Sequence, residues 1–146
     1  MWVFEGVNFK SIEDFPEEVY GFIYKIKNLS NGKIYIGKKV LFFNRKMKLG
    51  KKELKELQGS KGRPIKFKQN RKESDWKTYC GSHKGLLKDI EKGDDIIKTI
   101  ISVHYTKKQL TYFENKALFS NSVIEYPEQY YNDSIQGRFF YRDIIL

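Results

Sequence analysis

Among 146 residues there is one cysteine, Cys80, with two histidines and three prolines. A single thiol excludes an internal disulfide, and Cys80 with His83 and His104 offers too few donors for a structural zinc site. Any metal is therefore expected to bind through oxygen. No apolar run approaches the roughly 20 residues that a membrane span requires. The opening MWVFEGVNFKSIEDF has no basic region ahead of an apolar one, so no signal peptide is expected and the chain reads as cytoplasmic. The length suits one domain, with a packed leader at 1–18 followed by a single domain at 19–146.

Acidic residues are scarce in one region. Between Lys33 and Lys77 there are 16 Lys and Arg against four acids, which accounts for more than the whole net charge of +10. A block this basic binds polyanions by releasing their counterions, and nucleic acid is the usual polyanion of a cytosol. A membrane surface fits less well, because the block carries no sustained amphipathic apolar stripe. The bland alternative is a solvated lysine-rich face that aids solubility.

What the sequence does contain is a hairpin signal, VYGFIYKIKNLSNGKIYIGKK from Val19 to Lys39. Apolar and polar residues alternate on both sides of Asn31-Gly32, a pair suited to a two-residue turn. That turn predicts Ser30 opposite Lys33, Asn28 opposite Tyr35, Ile26 opposite Gly37 and Tyr24 opposite Lys39. Tyr24 and Tyr35 then share a face, and Gly37 is expected to leave an open patch where a ligand could approach the backbone. Aromatic residues in strands also arise from ordinary sheet packing.

The hairpin resembles the GIY-YIG nuclease domain. Its first motif reads Phe22-Ile23-Tyr24, with Gly21 one place early, and its second reads Tyr35-Ile36-Gly37 unchanged. The basic residue that follows the second motif is matched by Lys38, and the arginine eight residues beyond its glycine by Arg45. A guanidinium there could hold a phosphate through two parallel hydrogen bonds. The run Trp76-x-x-Tyr79-x-Gly81-Ser82 resembles the Seg-like GIY-YIG endonucleases of phages, which implies a phage or bacterial host cytoplasm.

Elsewhere the pattern predicts a helix or helical turn over 38–48. A basic insertion follows at about 46–75, with a short helix at 52–57 and an exposed loop or hairpin at 59–70. A helix with Leu86, Leu87 and Ile90 on one side should start at Ser82 and stop at Gly93. Ile96 to Val103 reads as a third strand buried on both faces or nearly so. Thr106 and Gln109 form a capping box for a second helix, whose apolar side holds Leu110, Phe113, Ala117 and Leu118. Glu114 falls within that apolar sector, so its carboxylate needs a cation, a metal or strong donors.

The resemblance implies that Glu114 binds the divalent metal, Mg²⁺ or Mn²⁺. It implies Tyr24 as general base, made more acidic by Lys38 or the metal, and Tyr35 as the group that positions water or phosphate. Arg45 would bind the non-bridging oxygens. Asn132, with Asn121 as competitor, would tie loops near the site. DNA contacts are expected from Gly37, Lys39, Lys46, Lys48, Lys51, Lys52, Arg63, Lys66, Lys68, Arg71 and Lys72. His83 is either a phosphate or metal-water contact or a surface residue. The fold expected is a small α/β (α+β) sandwich, a central three-stranded antiparallel sheet flanked by helices. The function implied is a metal-dependent DNA endonuclease of the phage homing-endonuclease kind; the alternative is a non-catalytic nucleic-acid-binding module on the same fold. DNA is the partner, a homodimer on the substrate is one route to a double-strand cut, and no stable protein partner is inferred.

Overall fold

The computed structural model describes residues 1–48, 51 and 67–144. It divides into two units, Met1–Leu41 with Asp75–Leu146, and Phe42–Ser74. The helix expected at 52–57 and the residues Lys52, Arg63 and Lys66 lie outside the described residues.

The larger unit is built on a mixed five-stranded sheet of order β2-β1-β7-β3-β4, in which β1 is Trp2–Phe4, β2 Val7–Phe9, β3 Gly21–Asn28, β4 Ile34–Val40 and β7 Ile96–His104. The expected three antiparallel strands are β7, β3 and β4. The leader adds two more, with β1 antiparallel to β2 and parallel to β7. Its turn residues Glu5 and Gly6 both take positive φ, 49° and 81°, as a two-residue hairpin turn requires. Strands of three residues are too short for alternation to reveal them; the neighbouring edge of β7 stabilises them.

Each face of the sheet carries its own core. On one, Trp2, Phe15, Phe22, Tyr24, Ile26, Trp76 and Ile100 are buried. Phe22, standing where the first motif has glycine, belongs to this aromatic cluster. On the other, Ile23 and Ile36 pack with Leu110, Leu118, Val123, Ile124 and Ile135. Two helices flank the sheet, α1 (Lys84–Lys92) and α2 (Lys107–Ser120). The third strand is not buried on both faces: Ile97 and Ile101 are exposed while Lys98 and Ile100 are buried, because α2 reaches mainly β3 and β4. Phe113, expected in the core, is also part-exposed and stacks on His104 at 4.6 Å. A short hairpin of β8 (Ser134–Ile135) and β9 (Phe139–Phe140) follows.

The smaller unit is a two-stranded antiparallel ribbon of β5 (Phe42–Lys48) and β6 (Phe67–Glu73), with Phe42 opposite Glu73 and Lys48 opposite Phe67. This corrects the helix expected over 38–48 and shows that part of the basic insertion is strand. The run Val40-Leu41-Phe42-Phe43 is rich in residues that favour strands, and pairing with β6 supplies the partner that local pattern could not reveal. Arg71 lies 3.7 Å over the Phe42 ring. Among the described residues no helix is long and apolar enough to cross a membrane.

Candidate active site

The β3–β4 hairpin differs from expectation by two residues. Tyr24 faces Gly37, and Ile26 faces Tyr35. The loop spans four residues, Leu29 to Gly32, closed by Asn28 N–H to Lys33 O and Gly32 N–H to Asn28 O, each 2.9 Å. Only Gly32 of the Asn31-Gly32 pair takes positive φ, 74°, so a two-residue turn with both at positive φ does not form. Buried Asn28 explains the longer loop. Its side chain accepts from Ser30 N–H at 2.8 Å and donates to Asp94 and to the Tyr131 hydroxyl, both at 2.9 Å. A shift of two preserves parity, so Tyr24 and Tyr35 still share a face, with ring centroids 6.2 Å apart.

Gly37 does not form an open patch, contrary to its expected role as a ligand approach. It is buried beneath Tyr24, and a Cβ there would stand 2.5 Å from the Tyr24 hydroxyl and 2.7 Å from Cζ. Tyr24 is itself only 1% exposed, held among Trp2 at 5.2 Å, Tyr79 at 5.9 Å and Tyr35. Burial raises its pKa well above the ordinary tyrosine value, and neighbouring Tyr35, Tyr79 and Glu114 push the same way. Lys38, expected to make this phenol more acidic, stands on the opposite face of the hairpin and is not among the groups that shift it. Tyr35 lies nearer solvent. Its hydroxyl is 3.0 Å from Ser82 Oγ, and burial outweighs that bond to raise its pKa as well.

The run Trp76-x-x-Tyr79-x-Gly81-Ser82 is the cradle of these two tyrosines. Trp76 joins the aromatic core and accepts at its carbonyl oxygen from Trp2 Nε1 at 2.6 Å. Tyr79 closes over Tyr24 edge-on and hydrogen-bonds to it. Gly81, at φ 87°, lets the chain pass against the Tyr35 ring, where a Cβ would be 3.2 Å away. Sequence reasoning noted this spacing yet gave Tyr79 no role and Ser82 only that of a helix cap; two polar residues flanking a glycine ahead of a helix were the available signal.

Glu114 approaches from the other side. Register places Lys38 on the face that α2 covers, opposite Tyr24 and Tyr35, so the site straddles the outer edge of β4. The Lys38 ammonium is 3.8 Å from Glu114 Oε1 and donates to Thr111 Oγ1 at 3.0 Å. Burial raises the Glu114 pKa, and the neighbouring Lys38 charge opposes this. Thr111, one turn before Glu114, was not singled out by sequence. Along the same edge of β4, Ile34 pairs with the 129–131 segment, and Asn132 bonds both backbone groups of Ile36, accepting from N–H at 3.0 Å and donating to O at 2.8 Å.

Two expected DNA contacts are engaged elsewhere. Lys39 pairs with Asp75, its ammonium 4.0 Å over the Tyr79 ring. His83, not Ser82, caps α1: its Nδ1 accepts from Gly85 and Leu86 N–H at 3.1 and 3.3 Å, and its Nε2 meets Asp133 Oδ2 at 2.8 Å. With both ring nitrogens used, His83 is neither a phosphate contact nor a metal-water contact in this arrangement. Lys51, Arg71 and Lys72 are exposed. Arg45, Lys46, Lys48 and Lys68 lie on the ribbon strands, their side chains outside the described residues.

A mixed sheet that offers two cradled tyrosines on a hairpin, with a carboxylate and an ammonium meeting at its edge, is the arrangement of a GIY-YIG-like α+β domain. The family model described as "Putative endonuclease segE, GIY-YIG domain" matches residues 2–135, and the chain belongs to that family. No curated protein and no solved structure matches it. GIY-YIG nucleases generally use a divalent metal.

Proposed function

We propose that this chain is a metal-dependent DNA endonuclease that hydrolyses phosphodiester bonds at the edge of β4. The observation that carries the reading is the meeting there of Glu114 and Lys38 with Tyr24 and Tyr35, both of which feel the Glu114 charge. The donor set fits a hard cation. Glu114 offers a part-buried carboxylate, and among the described residues no cluster of three or more His, Cys, Asp or Glu competes as a metal centre. One carboxylate suits Mg²⁺ or Mn²⁺ that keeps most of its waters. When bound, such an ion would lower the pKa of water and polarise a phosphate oxygen.

The protein groups then have separate duties. Glu114 holds the cation and Lys38 stabilises charge on the phosphate, tethered by Thr111 so that its ammonium stays at the edge. Tyr35 orients water or a phosphate oxygen through its hydroxyl, itself fixed by Ser82. Tyr24 supports Tyr35 and Gly37 from below and keeps its proton. Arg45 is assigned to the non-bridging oxygens by the family resemblance alone.

Nicking of supercoiled plasmid in Mg²⁺ at low salt tests the reading. Wild type should nick or linearise the plasmid, and Glu114→Ala and Arg45→Ala should bind without cutting. If wild type binds DNA and never cuts it, with several metals and with branched and single-stranded substrates, the chain is a binding module on this fold.

A further inference from the structure

The solvent side of α2 plays no part in the chemistry above, yet it is built in an unusual way. Lys108, Tyr112 and Lys116 follow one another at four-residue intervals along one line of the helix, about 6 Å apart along its axis. Tyr112 is 62% exposed, and Phe119 beside this line is 52% exposed. The one acid of the helix, Glu114, points to the opposite side. Exposed rings are costly in water and are not needed to hold the helix, which Leu110 and Leu118 anchor.

The ring is also held in place. Phe113 stacks on buried His104 at 4.6 Å and an interplanar angle of 12°, and Tyr112 stands edge-on to Phe113 at 5.1 Å and 89°. This buttress leaves much of Tyr112 open to solvent. Beside it lies a cavity of about 480 Å³ lined by Lys107, Lys108, Thr111, Tyr112 and Asn115. Asn115, one of the lining residues, has its Oδ1 buried without a hydrogen-bond partner. The cavity touches the catalytic edge through Thr111, which holds Lys38.

A fixed aromatic face flanked by ammonium groups is the recurring platform for unpaired nucleotides, because every base has a π-face and every linkage a negative charge. In a duplex those faces are stacked inside and cannot meet Tyr112. We propose that this side of α2 is a subsite for single-stranded nucleic acid, with an unpaired base on Tyr112 and adjoining phosphates on Lys108 and Lys116. Under the endonuclease reading, on which this rests, the substrate then carries an unpaired base next to the cut.

The test is fluorescence anisotropy without metal, using a labelled thymidine oligonucleotide of about 12 nucleotides, within the span one such site covers, and a duplex of equal length. Tyr112→Ala should weaken oligonucleotide binding about 5- to 150-fold, leave duplex binding nearly unchanged, and leave the melting temperature unchanged because the ring is exposed. Tyr112→Phe should restore binding. Lys108→Gln should lower the salt dependence of oligonucleotide binding by about 0.7 in log–log slope, one phosphate contact. Equal oligonucleotide affinity for wild type and Tyr112→Ala would overturn the subsite, as would equal losses on both probes or a wild-type dimer that Tyr112→Ala dissolves. The two readings fail separately. Stacking with no cleavage removes the endonuclease, whereas plasmid cleavage without any Tyr112 effect on the oligonucleotide removes the subsite.

Discussion

Replacing Gly37 by alanine puts a methyl group where the Tyr24 ring now lies. Its Cβ would be 2.5 Å from the hydroxyl and 2.7 Å from Cζ, so the ring has to move. Tyr24 has little room, with Trp2 and Tyr79 against it and 1% of its surface exposed. Overpacking of this kind costs about 1–3 kcal/mol. Displacing the ring also breaks its hydrogen bond with Tyr79 and leaves a buried hydroxyl unpaired, about 1–3 kcal/mol more. The expected loss is about 2–6 kcal/mol, a fall in Tm of roughly 6–24 °C for a chain of this size. Thermal unfolding by circular dichroism measures it. Adding Tyr24→Phe removes the atom nearest the new methyl group, so the double variant should recover part of the loss and show coupling in a double-mutant cycle. An unchanged Tm with lost nucleic-acid binding would refute this reasoning and restore Gly37 as an open approach for a ligand.

Other substitutions test neighbouring parts of the site. Asn132→Asp keeps the acceptor for Ile36 N–H but sets a carboxylate against Ile36 O; urea unfolding should show a loss of about 2–4 kcal/mol, and a neutral result would mean that the two bonds are not needed. Glu114→Gln bears on pH. Because the folded-state pKa of Glu114 lies above its ordinary 4.5, its ionisation weakens the fold progressively as pH rises through that folded value. The variant should therefore melt higher than wild type at pH 7, with the difference vanishing below about pH 4.5; a variant less stable at pH 7 would contradict this sign. Tyr79→Phe removes one hydroxyl beside Tyr24 and should slow cleavage about tenfold or more if the donor orients the site, with plasmid affinity retained; an unchanged rate would make Tyr79 packing only.

Much of the candidate site's geometry was legible in the sequence because it follows short-range order. Alternation set Tyr24 and Tyr35 on one face, a result that survived the two-residue shift in register because strand faces depend on parity alone. Helical periodicity placed Glu114 inward, since 100° per residue holds whatever the helix meets. Loop length was not legible, because Asn28 finds Asp94 and Tyr131 through contacts distant in sequence. For the same reason the short strands at 2–4 and 7–9 escaped notice, and 42–48 read as helix until β6 supplied its partner.

By itself the sequence determined which residue types the site would use and the order in which the chain presents them, because motifs, alternation and helical period are local properties. Only the tertiary structure decided their environments. It buried Tyr24 over Gly37 and so raised its pKa, and it committed His83 to capping α1 and Lys39 to Asp75. It also brought Glu114 around the edge of β4 to Lys38. Burial and charge pairing depend on which distant segments arrive at the same place, and that is settled by packing across the whole sheet.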